Sequence, residues 1–124
     1  MTTTTNNHIK HAIANELEYA QRAFTRAVKA LDEHRATGHM PSSNVYERMI
    51  NAEITLSMWI SVHAQLTAKA NQDLEADVQR IINQLTAKLV TYRLGNSTSD
   101  MERYVSRRQF EDLQDMIATM QRWI

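Results

Sequence analysis

The sequence predicts an all-α protein, an antiparallel bundle of four helices that a second copy can complete. Three observations lead there. Apolar residues recur at steps of three and four along most of the chain, which is the spacing of one face of an α-helix. The 124 residues include only two glycines and one proline, little material for a turn-rich β fold and natural for long helices. The stretch from Asn44 to Ala70 is apolar on two opposite sides and carries a single formal charge, Glu53, between Met49 and Ala68. A helix of that kind has to be covered twice, because a wetted side would show charges.

Residues 1–7, MTTTTNN, read as a frayed polar tail, and residues 8–124 as one helical domain. Asn6 or Asn7 is placed to cap the first helix, residues 8–36. Its stripe is Ile9, Ile13, Leu17, Ala20, Phe24, Ala27, Val28 and Leu31, with Glu18–Arg22 and Lys29–Glu33 spaced for exposed ion pairs. Arg22, Arg26 and Lys29 line its flank, usually the mark of a solvated face. Gly38 and Pro41 end it.

Asn44 with Glu47 resembles a capping box and opens the second helix, residues 44–70. One side carries Val45, Met49, Ala52, Leu56, Trp59, His63, Leu66 and Ala70. The other shrinks along Ile50, Ile54, Ser57, Ser61, Ala64 and Ala68. Small residues let another backbone approach closely, so this second side reads as a contact surface, within the bundle or toward a partner.

A tight turn at Asn71-Gln72 is expected before the third helix, although the apolar stripe could also run on as one long helix. Lys69 suits the end of one helix, and Asp73, Glu75 and Asp77 suit the start of the next. The third helix, residues 73–94, uses Leu74, Val78, Ile81, Leu85, Leu89 and Tyr92 and stops at Gly95. A rival reading pairs residues 89–94 with 101–106 as a β-hairpin. The last helix, residues 100–124, starts at a capping box, Ser99 with Glu102 or Ser106 with Gln109. Its stripe is Ser106, Phe110, Leu113, Ile117, Met120 and Ile124, and Arg107–Glu111 and Arg108–Asp112 can pair along the surface. Trp123 and Ile124 call for a docked terminus or an interface.

Leu, Ile, Val and Phe make up only about a fifth of the chain, so alanine and seven methionines must complete the core, with dimerisation as a further means. Without cysteine there is no disulfide, thiol nucleophile or Cys-based zinc site. Fourteen basic residues against fourteen acidic ones weaken both a general nucleic-acid binder and a DNA mimic. The N-terminal residues form no signal peptide, and the best membrane-span candidate, residues 49–68, is too polar, so the expected location is the cytoplasm.

The five histidines make no metal motif, since neither Glu-x-x-His nor His-Glu-x-x-His occurs. His63, one turn from Trp59, reads as an interior histidine rather than a pH-sensitive or catalytic group. Glu53 either reaches the rim or pairs with an arginine from another helix. No Gly-rich phosphate loop or nucleophile elbow is present, so no cofactor, metal or catalytic residue is assigned. The expectation is therefore a non-enzymatic interaction module, an adaptor or small inhibitor presenting a helix face to a protein partner, or a homodimer. Its contact residues would be Ile50, Ile54, Ser57, Ser61, Trp123 and Ile124. The alternative is a nucleic-acid-associated regulator that contacts phosphates through Arg103, Arg107 and Arg108, helped by Arg22 and Arg26.

Overall fold

In a computed structural model the chain forms four α-helices: α1 (Thr2–Ala36), α2 (Ser43–Leu66), α3 (Leu74–Leu94) and α4 (Asp100–Gln121). The structure describes residues 2–38, 43–70, 72–94 and 100–124, and the side chains of 6–38, 44–70, 72–90 and 107–124. Among the described residues there is no strand, so the 89–106 hairpin does not form: 89–94 and 101–106 are helical. α1 packs mainly on α2 and α3 mainly on α4. α2 and α3 each touch every other helix, whereas α1 and α4 lie across a diagonal.

The core follows the predicted stripes closely in α1 and α3. Ile9, Ile13, Ala20, Ala27 and Leu31 are buried from α1, and Leu74, Val78, Ile81 and Leu85 from α3, with Ile82 added. Side chains three and four apart stack along one helix face, and removing that face from water is the main stabilising term. α1 ends as expected: Gly38 takes a φ of +76°, where a Cβ would be strained, and its N–H donates to the Arg35 carbonyl at 3.1 Å.

The start of the first helix differs from the expected residue 8. Helix α1 begins at Thr2, well ahead of the expected start, and Asn6 caps a different helix from the one foreseen. Asn6 Nδ2 donates to the Gln72 carbonyl at 2.9 Å, and Asn6 Oδ1 accepts the Leu74 N–H at 3.1 Å. One asparagine thus ties the first turns of α1 to the entry of α3.

Helices α2 and α3 are separate, and α2 ends at Leu66 rather than residue 70; Asn71 of the expected Asn71-Gln72 turn lies outside the described residues. Gln72 explains the early stop. It donates through Nε2 to the Gln65 carbonyl (3.0 Å) and the Asp77 carboxylate (2.8 Å), and accepts the Lys69 N–H on Oε1 (2.8 Å). Asp73 caps α3 by accepting the Ala76 N–H at 3.3 Å. Because α2 starts at Ser43, Asn44 lies inside its first turn instead of capping it. Ser99, Gly95 and the side chains of Glu102 and Ser106 lie outside the described residues, so both capping boxes of the last helix do too.

At the end of α4 the buried positions are Asp112, Leu113, Met116, Met120 and Trp123, while Ile117 is half-buried and Ile124 is 44% exposed. The core face is turned from the expected one. Past Met120 the bonding tightens to three-residue spacing, with Trp123 N–H donating to the Met120 carbonyl at 3.0 Å. That swings Trp123 inward onto Trp59, with ring centroids 5.8 Å apart and planes tilted by 35°. The terminal tryptophan is docked inside the chain.

Candidate functional site

Clefts open along both sides of α2. Trp59, Val62 and Leu66 are buried on its core side, and His63 is half-buried. The opposite side is only half covered: Ile50 and Ile54 are half-buried, but Ser57, Ser61, Ala64 and Ala68 are exposed. This corrects the expectation of a helix wrapped all round. α2 meets α3 and α4 through far fewer contacts than it makes with α1, so a gap stays open along the serine side.

That gap is a groove of about 250 Å³. Met58, Val62, Ile81, Leu85, Leu113 and Met116 give it an apolar floor from all three helices. Ser57 and Ser61 form a low wall, and Gln65, Gln84 and Gln109 with Lys88 form an almost uncharged rim. Ile60, 48% exposed, follows on the same helix. Two methionines in the floor make it adaptable in shape, and the serines leave room for a second backbone.

The second cleft, about 340 Å³, lies between α1, α2 and α4. Ala20 and Ala23 of α1 and Ala52 of α2 line it with small side chains. Arg26, Arg48 and Arg108 line it, one from each helix, with Tyr19, Asn51 and Thr55. Arg108 is held from below: its Nη2 lies 3.2 Å from Asp112 Oδ1, and the Thr55 hydroxyl donates to Asp112 Oδ2 at 2.9 Å. Asp112 is 4% exposed, so its pairing with Arg108 is a buried contact and not the surface pair foreseen. Burial pushes the Asp112 carboxyl above its ordinary value, and the Thr55 hydrogen bond and the Arg108 charge pull it back only in part. Glu111 also reaches Arg108, at 3.8 Å. The buried Nε of Arg108 has no hydrogen-bond partner.

Of the residues expected to touch a partner, Ser57 and Ser61 line the groove. Ile50 and Ile54 sit half-buried elsewhere on α2, Trp123 is taken up by the core, and Ile124 is exposed at the end of the chain. The groove floor from α3 and α4 was not foreseen, because a stripe of apolar residues reads as core whether or not a gap opens above it. Of the expected phosphate contacts, Arg107 is exposed, Arg108 is turned inward, and the Arg103 side chain lies outside the described residues. Arg22 is paired with Glu18, whereas Lys29 and Glu33 form no such pair. Glu53 is exposed.

Among the described residues no three His, Asp or Glu side chains gather as a metal site would require. No helix among them is long and apolar enough to cross a membrane. No protein-family model matches the chain, and no curated protein or solved structure is significantly similar to it.

Proposed function

We propose that the protein is a non-enzymatic, cytoplasmic interaction module, an adaptor or small inhibitor built as an antiparallel bundle. In this reading an amphipathic helix of a protein partner lies in the groove between α2, α3 and α4. The supporting observation is an apolar floor left open beneath Ser57 and Ser61, on a helix that carries almost no charge there. A helix laid in such a groove removes its own apolar face and the groove floor from water together, with anchors at steps of three and four. The glutamine rim can hydrogen-bond at the margins without demanding a charged partner, which suits the neutral chain. A second copy of the same chain is the competing occupant, and gives the homodimer version.

The test is recovery of partners by the tagged full-length chain from the cells that naturally make it, with two variants beside it. Ser61→Arg places a long charged side chain over the groove; Asn15→Arg makes the same change on an exposed part of α1. The expected result is a partner held by the wild type and Asn15→Arg but lost by Ser61→Arg, with helicity unchanged by circular dichroism. A partner retained by all three overturns the reading. Sedimentation that shows a dimer broken by Ser61→Arg assigns the groove to self-association instead.

A further inference from the structure

We infer that the cleft between α1, α2 and α4 is a binding site for a small phosphate monoester, separate from the apolar groove. Three arginines that are far apart in sequence, Arg26, Arg48 and Arg108, line one recess. Like charges brought together repel unless something negative lies among them. Among the described residues no carboxylate lines the recess, and Asp112, buried beside Arg108, is already engaged by Arg108 and Thr55. Glu111 lies near Arg108 alone and is exposed. Arg26 and Arg48 make no ion pair among the described residues. Positive charge in the cleft therefore exceeds negative, in a protein that is neutral as a whole.

Arg108 keeps about a third of its side chain exposed where it lines the cleft, while its Nε is buried out of a ligand's reach. Guanidinium forks match phosphate oxygens in geometry and charge, and they bind them with short, charge-assisted hydrogen bonds. Asp112 acts as a positioning residue here: its buried bond fixes Arg108 on its cleft side before any ligand arrives.

Size and surroundings favour a small molecule over a chain of phosphates. About 340 Å³ lies at the low end for small-molecule pockets. Arg107 is exposed on the next position of α4 and does not line the cleft, and Arg22 is occupied by Glu18, so no basic track leads away from it. Tyr19, 73% exposed at the margin, offers an aromatic face to the organic group the phosphate carries.

Titration of the full-length protein with phenyl phosphate and with inorganic phosphate, followed by NMR at constant ionic strength, tests the assignment. Both probes should saturate, phenyl phosphate more tightly. Arg48→Ala and Arg26→Ala should each weaken both about tenfold, Tyr19→Ala should weaken phenyl phosphate alone, and Arg22→Ala should change neither. The arginines chosen are exposed, so loss of folding does not confuse the result. No saturation below about 10 mM, or affinities indifferent to Arg26 and Arg48, overturns the site. An indifferent Tyr19→Ala overturns the aromatic contact. Tighter binding of a single-stranded oligonucleotide, falling steeply with salt, overturns the monoester in favour of a phosphodiester chain.

Discussion

Replacing Trp123 with alanine should cost the isolated chain about 3 kcal/mol of folding stability. The side chain is 8% exposed and stacks on Trp59, itself 5% exposed, with centroids 5.8 Å apart. A buried tryptophan withholds roughly 200 Å² from water, worth about 5 kcal/mol at 25 cal/mol per Å², and the tilted ring pair adds about 1 kcal/mol. Trp123 lies beyond Gln121, the last residue of α4, so the surrounding chain can relax into the space. That relaxation brings the expected loss to the lower part of the usual range for large aromatic truncations. Urea unfolding followed by tryptophan emission reads it directly, since the chain has only two tryptophans and the variant leaves Trp59 as sole reporter. The midpoint should fall by roughly 2 M, and native Trp59 emission should shift to the red as water reaches the vacated side. A loss below about 1 kcal/mol with unchanged Trp59 emission would refute the docking of Trp123 in the core. It would return that residue to the surface, where partner contact was expected.

Asn6→Ala removes both hydrogen bonds to the start of α3 and should lower stability by about 1–2 kcal/mol, a fall of several degrees in Tm. Asn6→Asp should lose less, because it still accepts the Leu74 N–H; equal losses would count against the cap. For Asp112, whose carboxyl is raised above 3.8, the folded chain binds its proton more readily than the unfolded chain. The cost of burying the charged form is therefore fully present near neutrality and relieved as pH falls through the raised value. Wild-type stability relative to Asp112→Asn should accordingly improve between neutral pH and about pH 4, as measured by urea unfolding at both. A constant difference would mean the burial of Asp112 is not the controlling effect.

Much of the architecture was legible because burial imposes a period that residue types reveal. Ile9, Ile13, Ala20, Val78 and Ile81 could be assigned to the core from spacing alone. Gly38 and Asp73 marked helix ends through their own backbone and side-chain chemistry. The helix through Thr2–Thr5 could not be foreseen: nothing in a polar repeat foretells that Asn6 will bond to a turn 66 residues away. Asp112 was missed for a related reason, since a search for apolar stripes passes over a carboxylate whose burial is made tolerable by Thr55 on another helix. Trp123 replaced Ile124 in the core because the last turn tightened, a local change of pitch that no fixed period contains.

The two clefts differ in the same way. Ser57 and Ser61 announced a place of close approach, and they do stand at the groove, although the expected covering of that side is absent. The arginine cleft has no signature along the chain. Arg26, Arg48 and Arg108 belong to three helices, and small alanines of α1 and α2 line the cleft with them.

The most direct measurement is site-specific photo-crosslinking from position 61, with position 15 as reference, in cells that make the protein. Crosslinks to one partner protein from position 61 and none from position 15 are the expected result. Crosslinks equally from both positions, or from position 61 only to a second copy of the chain, would contradict a groove that receives a partner's helix.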